Sequence, residues 1–275
     1  MHEKYINEVK IEDRPIVFVT HMEHHSNQTS WLETIAEVKL IPHTESGHVD
    51  LEKFKIALKK YEGRSMKIAA VTSCSNVTGV FTPYHEIAEI IHNVGGFCFV
   101  DFACSAPYIN IDMYTDKPLQ YLDAIYFSPH KFLGGPGSAG VLVFNKKLYN
   151  NKIPDSPGGG TVDWTNPWGD HKYTDNIESR EDGGTPAFLQ TIRTALVIQL
   201  KEQMGVKNIL AREHELHEII WPKFQRMESV VVLADNIEER LGVYSFYIKN
   251  LHFNLGVQLL NDRYGIQVRG GCSCA

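Results

Sequence analysis

Strand-like and helix-like runs alternate along the first half of this chain, and that alternation limits the possible fold more tightly than any other feature. Ile16-Val17-Phe18-Val19-Thr20 reads as a strand, residues 30–36 as a helix, and residues 51–61 as a helix with Asp50 as its N-cap. Ile68-Ala69-Ala70-Val71-Thr72 is the next strand. A helix over residues 84–93 follows, entered by Pro83 and stopped by Gly95-Gly96, and then the strand Phe97-Cys98-Phe99-Val100-Asp101. This order predicts a mostly parallel sheet with helices on both faces. Ligands of such sheets bind where the strands end, which is where Asn76, Asp101 and Lys131 fall.

The second half is less regular. Residues 154–186 are rich in Gly, Pro, Asp and Trp and read as a long irregular loop, of the kind that is functional or lies at an interface. Helical patterns follow over residues 187–205 and 209–227. Val230-Val231-Val232-Leu233 and Val243-Tyr244-Ser245-Phe246-Tyr247-Ile248 then read as strands. The expected organisation is a large domain over residues 1–205 and a smaller, incomplete α+β domain over residues 206–275.

The chemistry concentrates in Ser128-Pro129-His130-Lys131-Phe132-Leu133-Gly134-Gly135-Pro136-Gly137. Apolar strands are expected on both sides, Asp123-Ala124-Ile125-Tyr126-Phe127 and Ala139-Gly140-Val141-Leu142-Val143-Phe144, which predicts a buried lysine. Burial lowers an ammonium's pKa, and a neutral amine can form a Schiff base. Thirty residues upstream, Asp101 closes its strand. Pyridoxal phosphate chemistry needs such a pair: a lysine for the aldehyde and an acid to keep the pyridine nitrogen protonated as an electron sink. The competing reading is a salt-bridged lysine and a strand-end aspartate in an ordinary α/β sheet. Gly135-Pro136-Gly137-Ser138-Ala139-Gly140 matches the dinucleotide fingerprint, but it precedes a strand rather than a helix, so the match is accidental.

Composition excludes several classes. With a net charge of −6 and 22% charged residues, no basic field invites nucleic acid or anionic lipid. No apolar stretch approaches the roughly 20 residues of a membrane span, and the first residues do not resemble a signal peptide, so a cytoplasmic protein is expected. Five cysteines (Cys74, Cys98, Cys104, Cys272, Cys274) are too few and too irregular for a disulfide framework. Cys272-Ser273-Cys274 has no second pair to complete a zinc site, and no metal is expected.

Six segments resemble the class V aminotransferase family of fold-type I pyridoxal phosphate enzymes, on its cysteine desulfurase and selenocysteine lyase branch. They are Met22-Glu23-His24-His25-Ser26-Asn27, Ser75-Asn76-Val77-Thr78-Gly79, Val100-Asp101-Phe102-Ala103, Ser128-Pro129-His130-Lys131, Gly183-Gly184-Thr185-Pro186 and Val268-Arg269-Gly270-Gly271-Cys272-Ser273-Cys274. They occur in family order and cover nearly the whole chain. The resemblance implies that Lys131 carries the cofactor, Asp101 holds the pyridinium and His24 stacks on the ring and moves protons. It gives Asn76 to the ring hydroxyl or substrate carboxylate, Ser128 and His130 to the phosphate, Thr161 to a neighbouring subunit's phosphate, and Arg269 to the substrate carboxylate. Cys274 falls at the position of the desulfurase nucleophile, with Cys272 as a second thiol. Read alone, the His24-His25 pair is loop polarity and Asn76 a turn residue.

The resemblance further implies an amino-acid substrate, a homodimer and a sulfur-acceptor protein. Two departures qualify it. Cys104 stands where the family commonly has a glutamine that bonds the ring oxygen. The chain also starts after the family's usual phosphate-cradling Gly-Thr-Thr turn and stops one residue past Cys274, so a fragment or a truncated relative is expected. Alternatives are another class V aminotransferase, epimerase or kynureninase-like lyase, which needs no thiol at residue 274, or an inactive protein of the same fold that acts by dimerisation.

Overall fold

A computed structural model describes residues 8–273. The central sheet is built from β1 (Ile16–Val19), β2 (Glu37–Leu40), β3 (Lys67–Thr72), β4 (Phe97–Asp101), β5 (Ala124–Phe127) and β6 (Val141–Phe144). Their spatial order is β2-β1-β3-β4-β5-β6, parallel throughout except that β6 runs antiparallel to β5. The helices between them are α1 (His25–Leu32), α2 (Leu51–Lys59) and α3 (Tyr84–His92).

Alternation along β1 sorts its side chains to two faces. Ile16 and Phe18 join the main core with Phe54 and Leu58 of α2, Ile87 and Ile91 of α3, and Val71 and Val100. Val17 and Val19 point the other way, into a smaller cluster with Ile68 and Ala70 that Trp31 of α1 covers. Phe18 meets the Phe54 ring edge-on at 5.2 Å. Burying each such side chain stabilises the fold by about 1.5–3 kcal/mol, so β1, β3 and α3 anchor the sheet. Asp50 caps α2 as expected, its side chain accepting from Lys53 N at 2.9 Å.

Four sequence expectations need correction. The first helix spans His25–Leu32 rather than residues 30–36, because the His24 imidazole serves as its N-cap, Nδ1 accepting from Ser26 N at 3.2 Å. The segment 154–186 is not wholly irregular. It holds a hairpin of β7 (Val162–Thr165) and β8 (His171–Tyr173) and a short helix α4 (Ile177–Glu181). Asn166 Oδ1 builds the hairpin turn by accepting from Trp168 N and Asp170 N, each at 3.0 Å. The third correction is an extra helix. After α5 (Phe188–Met204), α6 (Val206–Gln225), β9 (Val230–Val232) and β10 (Phe246–Ile248), the chain forms α7 (Phe253–Tyr264), ended by Gly265 in the left-handed region at φ +64°. The fourth is the environment of Lys131. β6 is an edge strand with Leu142 61% exposed, so the lysine lies beside one partly buried strand and one open strand, and it is exposed. Among the described residues no helix is long and apolar enough to cross a membrane.

Candidate active site

The parallel strands deliver the candidate residues to one edge. His24 follows β1, Asn76 follows β3, Asp101 ends β4, and Ser128, His130 and Lys131 follow β5. Asp101 is buried at 6% exposure; its Oδ1 accepts from Ala103 N at 2.8 Å, and among the described residues that is its one side-chain hydrogen bond. Burial pushes its carboxyl above the ordinary range, against the Ala103 N–H and the charges of Lys131 and His24, which pull it down. Half-buried His24 is held below the usual imidazole value by burial first, then by His25 and Lys131, with Asp101 opposing and Arg269 adding to the lowering. His24, Asp101, Lys131 and Arg269 therefore share one electrostatic field.

Lys131 sits on a single 3₁₀ turn, Pro129–Lys131, which Phe132 N closes onto Pro129 O at 2.9 Å. Gly135 packs directly beneath: a Cβ there would lie 1.9 Å from Pro129 O. Helix α5 braces the far side, with Arg193 donating to Pro136 O and Thr194 Oγ1 to Ala139 O. Gly135→Ala should therefore force the lysine turn to move and destabilise the fold by about 1–3 kcal/mol. Thermal unfolding measures this cost, and an unchanged melting temperature would disprove the close approach.

Asp101 and Ser128 line a cavity of about 560 Å³ with Asn27, Trp31 and Tyr126. Lys131 borders a smaller one of about 290 Å³ with Tyr108, Phe132 and Lys201. Asn76 Nδ2 donates to Ser273 O at 2.9 Å, so the turn after β3 draws in the C-terminal segment that carries Arg269 and Cys272. The same turn is held by Leu241 N on Gly79 O and by Ser245 Oγ on Val77 O. Asn76 Oδ1 is buried with no partner.

Thr161 is not brought to this edge: its hydroxyl donates to Gly158 O at 2.6 Å, closing its own turn, and it is fully buried. His130 and Cys272 are exposed. Cys274 lies outside the described residues.

Sequence reasoning missed the support under His24. Glu23 is buried and accepts from Thr20 N, Thr20 Oγ1, Asn27 Nδ2 and Thr72 N, at 3.1, 2.6, 2.6 and 3.0 Å. Burial raises its pKa, with these four bonds opposing. Tyr126 extends the network by donating to Asn27 Oδ1. The loop bearing His24 is thereby bolted to β3 and β5. A charged residue between Met22 and the histidine pair was the available signal.

An open α/β sheet with an amine, a buried carboxyl and an imidazole along its carboxyl edge has the architecture in which α/β proteins bind ligands. The chain belongs to the aminotransferase class-V family, whose model matches residues 4–275. A probable cysteine desulfurase from Halalkalibacterium halodurans is 32% identical over 266 residues, covering 94% of this chain and 61% of that protein. Another, from Staphylococcus epidermidis, is 31% identical over 274 residues, covering 98% and 63%. This chain thus spans under two thirds of the length of these curated relatives. Among solved structures, the apo cysteine desulfurase of Thermococcus onnurineus NA1 superimposes with a TM-score of 0.79 at 25% identity, covering 98% of this chain and 65% of that one. A cysteine desulfurase from Escherichia coli gives the same TM-score at 20% identity, covering 96% and 63%, a likeness of fold.

Proposed function

We propose that this chain serves a pyridoxal phosphate-dependent enzyme that removes sulfur or selenium from an amino acid of the cysteine type. The observation that supports it most is the convergence of His24, Asn76, Asp101, Ser128 and Lys131 on one sheet edge, with Arg269 and Cys272 drawn in through Asn76. The residues fit the cofactor. A buried carboxyl with one backbone donor calls for a cationic nitrogen, and an orphaned buried amide oxygen calls for a hydroxyl.

When bound, pyridoxal phosphate supplies an electron sink for charge developing at the substrate's α-carbon. Lys131 would hold the cofactor through its amine and would carry protons at Nζ. Asp101 holds a proton at the pyridine nitrogen. His24 would cover the ring, and burial, which holds its pKa below the usual imidazole value, favours the neutral form that can accept a proton. Asn76 Oδ1 takes the ring hydroxyl, Ser128 and His130 donate to phosphate, and Arg269 orients the substrate carboxylate. Cys274 is the thiol that accepts the sulfur, with Cys272 as its neighbour in reserve.

Two copies would pair through the hairpin, where Trp168 is 87% and Trp164 51% exposed, and a sulfur-acceptor protein would unload the thiol in the cytoplasm. A role for Thr161 at a partner's phosphate requires its bond to Gly158 to open. The test is sulfide release from cysteine by the protein. Cys274→Ala should abolish it, and Cys272→Ala should leave most of it. Undiminished release in both variants would replace this reading with a thiol-independent lyase. A monomer by light scattering at micromolar concentration would remove the dimer.

A further inference from the structure

Two thiols that no step above employs lie beside the cluster. Thr72 of β3 pairs with Asp101 of β4, so the residues just beyond each strand end run side by side. Ser73 N donates to Asp101 O at 2.9 Å, and Ser73 Oγ lies 2.5 Å from Ser105 Oγ. Within this bracket, Cys74 Sγ and Cys104 Sγ both sit 3.7 Å from the same atom, Ser75 O, so the two thiols share one carbonyl.

The two sulfurs are not equivalent. Cys74 is fully buried, whereas Cys104 is half-buried on the site side of the pair. The Cys74 thiol donates to Gly79 O at 3.1 Å. The neighbouring Cys74 and the Lys131 charge hold the Cys104 thiol below the ordinary range, against burial and Asp101. The neighbouring Cys104, then burial, pushes Cys74 far up. Cys98 is fully buried within β4, away from the Ser75 carbonyl, and serves as an internal control.

We propose that Cys104 and Cys74 form a peroxide-reactive dithiol, in which Cys104 is oxidised first and Cys74 closes a disulfide between the ends of β3 and β4. In the first step the Cys104 thiolate attacks a peroxide oxygen: the S–O bond forms, the O–O bond breaks and hydroxide leaves, giving a sulfenic acid. In the second, Cys74 sulfur attacks Cys104 sulfur: the S–S bond forms, the S–O bond breaks, and the hydroxyl departs as water with the Cys74 proton. The sulfur pair loses two electrons, and the peroxide gains them. The closed disulfide ties together the turns that carry Asn76 and Asp101 and removes the free Cys104 thiol from the site edge.

The test reads thiols alone, so its outcome is separate from that of the desulfurase reading. Folded protein is treated with equimolar hydrogen peroxide, its remaining thiols are blocked with iodoacetamide, and it is digested without reductant for mass spectrometry. The expected product is a peptide containing Cys74 linked to one containing Cys104, abolished by dithiothreitol, with Cys98 alkylated only after unfolding. Cys74→Ser should trap the sulfenic acid on Cys104, where dimedone captures it. Cys104 remaining alkylatable while Cys272 is oxidised would overturn the proposal. So would sulfinic acid accumulating on Cys104 in the unsubstituted protein with no link to Cys74.

Discussion

Lys131→Ala should lower turnover at least about 100-fold, the low end of what a positioned proton carrier contributes, and should leave the fold untouched. The second half of that expectation comes from the structure. Lys131 is exposed, and among the described residues its side chain makes no hydrogen bond or ion pair. A surface substitution of that kind changes stability by no more than about 0.5 kcal/mol. Unfolding in urea and turnover should therefore separate cleanly. Borohydride reduction followed by peptide mapping supplies the positive control: Lys131 should carry the pyridoxyl label, and label on any other lysine would sink the assignment.

Asp101→Asn should bind cofactor and lose turnover by about 100-fold or more, the scale seen when one preorganised polar group is removed from a reacting centre. Asparagine keeps Oδ1 for the Ala103 N–H and loses the charge needed to hold a pyridinium proton. Stability should move the other way. The carboxyl's folded pKa is raised, so the folded state holds its proton more tightly than the unfolded chain does. Its contribution to stability is full below the unfolded pKa and is lost as pH climbs through the folded value. At neutral pH the amide escapes that loss, and the variant should be at least as stable as the parent in cofactor-free protein. Turnover near that of the parent would refute the electron-sink role, and a marked loss of stability would refute the uncompensated burial.

Much of this arrangement was legible in the chain. The runs around Phe18, Ala69 and Val100 are continuous enough to be strands and are separated by helices with recognisable starts, so the parallel sheet followed from local pattern. Once the strands are parallel, Asn76, Asp101 and Lys131 must share an edge, because each lies at or just beyond a carboxyl end. Helix boundaries failed where capping came from an unexpected group, as at His24, and the long segment hid a hairpin whose turn is built by one asparagine.

Local pattern carried five of the six sheet strands and the residue types at their ends, since periodicity and turn chemistry are local; β2, four residues with an exposed end, escaped it. What surrounds those residues is a tertiary matter. Lys131 is exposed because β6 is an edge strand, a fact of sheet order that no local pattern encodes. Asn76 meets Ser273 across 197 residues, Glu23 gathers donors from three segments, and Cys74 meets Cys104 across two strand ends. Such contacts depend on which chain segments the sheet brings side by side, and burial and electrostatics follow from that neighbourhood rather than from sequence spacing.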